Sequence, residues 1–365
     1  MKIINVVGAR PNFMKIAPLM RAYRGAGNVQ PLLVHTGQHY DHAMSKLFFE
    51  ELAIPRPDID LEVGSGSHAQ QTAEIMKRFE PVCLEHKPDM VLVVGDVNST
   101  IACALVASKL GIRVVHVEAG LRSGDRTMPE EINRVLTDAI SDLLFVSEPS
   151  GQINLGKEGV DPAKVFLVGN VMIDTLLANL DKAKARGATG RLGLKAKGFA
   201  LLTLHRPSNV DDPVTLKRIW EVVGRIAQRM PVVFPCHPRT RQRMASFGIG
   251  VGSAGSAADG AIRLLEPQGY LEFLSLMADA AVVLTDSGGV QEETTILRVP
   301  CLTLRANTER PITCEMGSNR LVGMDPVAIW AGFEAALVNA TSQRGLPPLW
   351  DGHAAERIVE VLAKC

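Results

Sequence analysis

The sequence predicts an α/β protein of two halves, each built on a parallel sheet. Three observations carry this. Short β-branched runs alternate with amphipathic helical stretches along the chain. The rhythm breaks once, in Lys-, Ala- and Gly-rich text between 171 and 198, and then restarts. With 365 residues, the chain is long enough for two domains of ordinary size.

In the first half a strand at 2–7 runs into Gly8-Ala-Arg-Pro-Asn12 and a helix through Met20. Strands follow at 31–35 and at 90–94, the latter ending at Gly95-Asp96. A helix at 100–110, a strand at 113–117, a helix from Pro129 and strands at 143–146 and 165–168 complete it. The second half begins with a strand at 200–204 and a helix at 213–229, with Asp212 as its N-cap and Pro213 at its first position. Strands at 232–235 and 262–265, a helix at 270–277, a strand at 281–285, a helix at 289–297 and a strand at 300–304 follow. The expected division is 1–172 and 173–352. An amphipathic tail, 353–365, is expected to pack back onto the first domain.

Bulk properties narrow the partners. Formal net charge is zero, so no global basic field draws in nucleic acid or a membrane surface. No apolar run is long enough to span a bilayer, and the first residues do not read as a signal peptide, so a cytoplasmic location is expected. The six cysteines form no C-x-x-C pair and read as reduced core residues. His35, His39 and His42 do not have a zinc spacing, and neither a metal nor a cofactor is expected.

In such sheets ligands bind beyond the carboxyl ends of the strands, and two facing halves would put those ends on opposite walls of one cleft. After the first strand, Gly8 allows a tight turn, while Arg10, Lys15 and the helix N-terminus suit an anion. Asp96 and Glu118 both sit at strand ends. Parallel strands lie about 4.8 Å apart, so two such carboxylates can converge on one small substrate. Glu130 and Glu131 open a helix, with Arg122 and Arg134 nearby. Such a group suits acid/base chemistry, because crowded carboxylates raise one another's pKa. Taken singly, Asp96 could instead cap a helix and Glu130 could be an ordinary first-turn acid.

In the second half His205 follows a strand, placed to hold a phosphate, to protonate a leaving group or to cap the backbone locally; His237 is similar. The segment Thr285-Asp-Ser-Gly-Gly-Val-Gln-Glu-Glu293 joins a strand to a helix. Its glycines let backbone N–H groups approach phosphate, Ser287 adds a hydroxyl, and Glu293, about one turn on, can accept from a ribose diol. Arg305 and Arg310 add positive charge after the next strand.

These residues together resemble the non-hydrolysing UDP-N-acetylglucosamine 2-epimerases over nearly the whole chain. The resemblance rests on Gly8-Ala-Arg-Pro with Lys15, Thr36-Gly-Gln-His39, Gly95-Asp96, His116-Val-Glu-Ala-Gly-Leu-Arg122, Pro129-Glu-Glu with Asn133-Arg134, and Gly169-Asn170. It also rests on His205-Arg206, the 285–293 segment and Thr308-Glu-Arg-Pro311. It implies two Rossmann-like domains facing across a deep cleft in a glycosyltransferase-B-like fold, and a homodimer. It implies inversion at C2 of UDP-N-acetylglucosamine to give UDP-N-acetylmannosamine, by anti elimination of UDP through 2-acetamidoglucal and re-addition. That product supplies bacterial or archaeal surface polysaccharide.

By the same resemblance Asp96, Glu118 and Glu130 face the sugar and His205 assists departure of UDP. Arg10, Lys15 and Arg134 contact substrate, and Gln268 and Phe273 lie at the uracil. Ser287, Gly288 and Gly289 hold the diphosphate, Glu293 the ribose, and Arg310 makes a further contact. Members with a regulatory second substrate site carry Gln where this chain has Asp41, and His-Arg-Arg-Glu where it has His205-Arg-Pro-Ser208. Strong substrate activation is therefore not expected. The alternatives are an epimerase of a modified sugar such as UDP-2,3-diacetamido-glucuronate, the hydrolysing branch, a glycosyltransferase, or a nucleotide-sugar-binding module.

Overall fold

Each half of the chain closes around its own parallel sheet. The structure, a computed structural model, describes residues 1–38, 42–250, 262–338 and 345–365. His39, Asp41 and the side chain of His42 lie outside the described residues. Two compact units result, Met1–Ala178 with Pro348–Cys365, and Asn179–Pro347.

The first unit runs β1 (Lys2–Val7), α1 (Arg10–Ala22), β2 (Gln30–His35), α2 (His42–Glu51), β3 (Ile59–Asp60), α3 (His68–His86), β4 (Met90–Val94), α4 (Asn98–Lys109), β5 (Arg113–Ala119), α5 (Pro129–Ala139), β6 (Leu143–Val146), α6 (Pro149–Lys157) and β7 (Val165–Leu167). Helix α7 (Val171–Arg186) carries the chain into the second unit. There follow α8 (Ala188–Arg191), β8 (Ala200–Thr203), α9 (Pro207–Val210), α10 (Pro213–Ala227), β9 (Val232–Pro235), α11 (Pro238–Ser246), β10 (Ile262–Leu265), α12 (Tyr270–Asp279), β11 (Val282–Thr285), α13 (Gly288–Leu297), β12 (Cys301–Thr303), α14 (Ile312–Glu315), β13 (Asn319–Leu321) and α15 (Pro326–Val338). The closing helix α16 (Ala354–Leu362) returns to the first unit.

Every strand pairing is parallel, and the two orders are β3-β2-β1-β4-β5-β6-β7 and β10-β9-β8-β11-β12-β13. Each sheet is Rossmann-like, and its order reverses once, between β1 and β4 or between β8 and β11. The central strands are covered on both faces. That is why β4 is apolar at all five positions and fully buried.

The sequence misses β3 and β13. They are edge strands of two and three residues with exposed positions, too short for an alternating pattern. It also passes over α3, the longest helix, whose interior Pro81 reads as a break. The Ser67–Gln70 cap at its start was a legible signal.

The tail is tied to the first unit by defined bonds. Asp174 in α7 is buried and accepts from the first N–H groups of α16, Ala354 at 3.1 Å and Ala355 at 2.7 Å. These donors have no partner within their own helix, so Asp174 caps α16 from another element. Trp350 donates through Nε1 to the Ser147 carbonyl at 2.9 Å. Asp174→Ala strands two buried donors and should cost about 1–3 kcal/mol in urea unfolding of the whole protein. Asp174→Asn keeps one acceptor oxygen and should cost less; equal losses would mean the cap does not hold the tail.

Candidate active site in two halves

The chemistry-bearing residues gather past the strand ends nearest each order reversal. In the first unit, β1 ends at Val7, Gly8 follows it and Asn12 closes the turn. The Asn12 side-chain oxygen accepts from the N–H groups of Gly8 and Ala9, and its Nδ2 donates to the Val94 carbonyl at 2.9 Å. One side chain thus ties the end of β1 to the end of β4. It also sets the first turn of α1, which sends Lys15 inward, 4 % exposed. Arg10 stays exposed, its guanidinium 4.6 Å from the centre of the Phe48 ring.

Lys15 forms a buried ion pair with Glu118. Gly95, at φ +68°, makes room for it, since a Cβ there would lie 2.6 Å from Lys15 Nζ. Glu118 itself has φ +74°, a region non-glycine residues rarely adopt. The register between β5 and β6 shifts between Val117 and Ala119, so Glu118 is the extra residue of a bulge. A bulge re-aims a side chain, and strain of this kind clusters at functional sites.

Asp96 is half-buried and pairs with Arg134 at 2.5 Å. It is not the helix cap; Val97 occupies that position. Arg134 also meets Glu131 at 2.8 Å, and Asn133 donates to the Asp96 carbonyl at 2.9 Å. Glu131 accepts from the N–H groups of Ser123 and Gly124 at 3.0 and 2.9 Å. Burial alone would raise its pKa; those N–H groups and Arg134 outweigh it and hold the carboxyl below its usual value. Glu131 is therefore a loop holder. Its neighbour Glu130 is half-buried and has no hydrogen-bond or ion-pair partner among the described residues. Asp96 and Glu118 are thus each matched to a cation. This differs from the crowding of carboxylates that the sequence suggested.

In the second unit Asp286 follows β11 and is fully buried. It accepts from the backbone N–H of His205 at 3.0 Å and of Arg206 at 2.9 Å, from Asn209 Nδ2 at 3.1 Å and from His205 Nδ1 at 2.9 Å. Burial would raise the Asp286 pKa, but His205 and these N–H donors overcome it and hold it below the usual aspartate value. The carboxylate joins the ends of β8 and β11 and fixes the His205 ring through Nδ1, with that side chain half exposed. His237, by contrast, caps α11, its Nδ1 accepting from the Arg239 N–H at 3.3 Å.

Ser287 is the N-cap position of α13, and its N–H donates to Thr285 Oγ1 at 3.0 Å. Thr285 Oγ1 in turn meets Thr203 Oγ1 at 2.6 Å, again bridging β11 and β8. Gly288 begins the helix, and a Cβ there would approach Glu309 Oε1 to 2.7 Å and Arg310 to 3.1 Å. Arg310 pairs with Glu292 at 2.6 Å and Glu309 at 3.0 Å, and Arg305 pairs with Glu309 at 2.8 Å. Glu293, buried one turn into α13, accepts from the Tyr270 hydroxyl at 2.9 Å. Burial, then Glu293, raises the Tyr270 pKa well above its usual value, so the phenol remains a donor. Gln268 and the half-buried Phe273 flank the start of α12, and Gln268 Nε2 donates to the Glu266 carbonyl at 2.6 Å.

The first unit therefore offers carboxylates for proton transfer, and the second offers a helix start with bound arginines for an anion. Sequence reasoning does not single out Asp286, Glu309 or Asn12, which hold His205, the arginines at 305 and 310, and the turn before α1. Among the described residues, no group of His, Cys, Asp and Glu side chains could hold a metal ion.

A family profile described as UDP-N-acetylglucosamine 2-epimerase matches residues 21–363. The UDP-N-acetylglucosamine 2-epimerase of Methanocaldococcus jannaschii is 44% identical over 368 residues, covering 99% of each chain. The UDP-2,3-diacetamido-2,3-dideoxy-D-glucuronate 2-epimerase of Pseudomonas aeruginosa is 42% identical over 370 residues, covering 100% of each. Among solved structures, the M. jannaschii UDP-GlcNAc 2-epimerase in complex with UDP-GlcNAc and UDP superposes with a TM-score of 0.91 at 45% identity, covering 100% of both chains. The Neisseria meningitidis enzyme bound to UDP-GlcNAc gives 0.90 at 30% identity, also covering 100% of both. With this agreement in sequence and in fold, the chain belongs to the UDP-N-acetylglucosamine 2-epimerase family.

Proposed function

We propose that the protein interconverts UDP-N-acetylglucosamine and UDP-N-acetylmannosamine. The observation that carries this is the pair of strand-end carboxylates, Asp96 and Glu118, each seated against a cation, with Glu118 redirected by a bulge. A base among Asp96, Glu118 and Glu130 takes the C2 proton. The C1–O bond breaks, UDP leaves with the bonding pair, and 2-acetamidoglucal remains. A proton is returned to C2 on the other face, and UDP adds again at C1.

The second unit holds UDP. Ser287, Gly288 and Gly289 offer N–H groups at the start of α13, Arg310 adds charge, Glu293 takes the ribose, and Gln268 and Phe273 take the uracil. His205, oriented through Nδ1 by Asp286, presents its other nitrogen to the departing diphosphate. Arg10, Lys15 and Arg134 complete the substrate contacts. The reaction needs no cofactor. The supporting facts are family membership and relatives named for this activity. We take the two units, Met1–Ala178 with Pro348–Cys365 and Asn179–Pro347, as the two domains, and place the protein in the cytoplasm, a reading the free cysteines support. Its product would feed surface-polysaccharide synthesis.

A homodimer is part of this reading. Ile132 and Leu136, one turn apart on α5, are about half exposed, an apolar pair suited to a second copy.

Incubation with UDP-N-acetylglucosamine in D2O should give UDP-N-acetylmannosamine with deuterium at C2 by NMR. Free N-acetylmannosamine would indicate hydrolysis. Absence of exchange, with exchange into UDP-2,3-diacetamido-glucuronate run in parallel, would move the substrate to the modified sugar. Asp96→Asn and Glu118→Gln should each lower kcat by about 10²–10⁴-fold while UDP affinity, measured by calorimetry, changes little. Comparable loss of UDP affinity would put these residues in the wrong role.

Asp286 has a folded pKa below its unfolded value, so its ionised form stabilises the fold above the unfolded value, and that contribution is lost as pH falls through the folded one. Asp286→Asn should therefore be clearly destabilising at neutral pH, and its gap from wild type should narrow below about pH 4 in urea melts. A gap independent of pH would contradict the ion pairing. Ile132→Asp with Leu136→Asp should turn a dimer into a monomer by light scattering; an unchanged dimer would exclude this face.

A further inference from the structure

The first unit holds a fully buried histidine that the proposed mechanism leaves unused. His116 sits in β5, two residues before Glu118. Its Nδ1 lies 2.6 Å from Asp138 Oδ1 on α5, and its Nε2 lies 2.9 Å from the Gly95 carbonyl, the residue before Asp96. A carbonyl can only accept. A carboxylate that also takes the Gly120 N–H at 3.0 Å and Arg122 at 2.7 Å is ionised, and it too can only accept. Both ring nitrogens must therefore carry protons. A neutral ring would set a lone pair against one of these acceptors and leave a buried hydrogen bond unmade.

We infer that His116 is a buried imidazolium that positions both carboxylates of the first unit. Through Nε2 it holds Gly95, and with it the approach to Asp96. Through Asp138 it holds the N–H of Gly120, two residues beyond the bulged Glu118. The charges alternate around it. Asp138 lies between His116 and Arg122, and Arg122 goes on to pair with Glu158 at 2.7 Å. Asn133 and Arg134 grip the Asp96 backbone and side chain from the next turns of α5. His116 and Asp138 touch no substrate in this scheme; they are positioning residues.

The kinetic part of this inference rests on the proposed epimerisation, but the charge state does not. In ¹⁵N-labelled wild-type protein at neutral pH, His116 should show two protonated ring nitrogens, one toward Asp138 and one toward the Gly95 carbonyl. A single protonated nitrogen would overturn the inference. His116→Gln should lower kcat for C2 exchange into UDP-N-acetylglucosamine by about 10²-fold, the scale of a small misplacement, with little change in KM. Turnover near that of wild type would equally overturn it. Asp138→Asn, which still accepts from Gly120 or Arg122, should reproduce the kcat loss and return His116 to one protonated nitrogen; its failure to do either would count against the brace. If wild type itself shows no exchange, the epimerase reading fails, and the NMR result alone decides the inference.

Discussion

A carboxylate at the end of a buried parallel strand has lost most of its water and has to be answered by positive groups. Both units are arranged around that constraint. In the first, Lys15 answers Glu118 and Arg134 answers Asp96. In the second, His205 and three further N–H donors answer Asp286, and the arginines at 305 and 310 answer Glu309 and Glu292. Removing one member of such a pair leaves an uncompensated buried charge, a large penalty. The pairs therefore tie the strand ends to neighbouring elements. Their positions follow from the topology, because each lies on the strands at or next to the point where strand order reverses.

The two units share that topology and use it differently. The first sets carboxylates at its strand ends, each seated against a cation. The second uses its strand ends for a helix start and a set of arginines already oriented by buried acids. Pre-set arginines lose little side-chain freedom when an anion arrives. Gly288 shows how the sequence serves two ends there. In the proposed reaction it would admit the diphosphate to the helix start, and its missing Cβ accommodates Glu309 and Arg310. The proposed chemistry needs both kinds of equipment, because a diphosphate must leave and return while a proton is exchanged at the neighbouring carbon.

Much of this was legible in the sequence. Central strands are covered on both faces and so read as mostly apolar runs, which located β1, β4, β5, β8 and β11 and with them Asp96, Glu118, His205 and the 285–293 segment. β3 and β13 are too short and too exposed to carry that signal and were not found. The bulge at Glu118 was not legible, since nothing in His116-Val-Glu-Ala distinguishes a bulged glutamate from a regular one. Nor were the partners of each acid, which come from distant segments: Lys15 to Glu118, Arg134 to Asp96, Asp286 to His205. The sequence placed several carboxylates in one region and suggested mutual repulsion. Only the fold could show that cations separate them.

The central claim is that UDP departs from C1 and returns. It is tested most directly with UDP-N-acetylglucosamine carrying ¹⁸O in the bond between C1 and the diphosphate. If the C1–O bond breaks reversibly, recovered substrate should show the label moved from the bridge to the non-bridging oxygens of the same phosphate by ³¹P NMR. Label retained in the bridge while C2 is inverted would contradict the account.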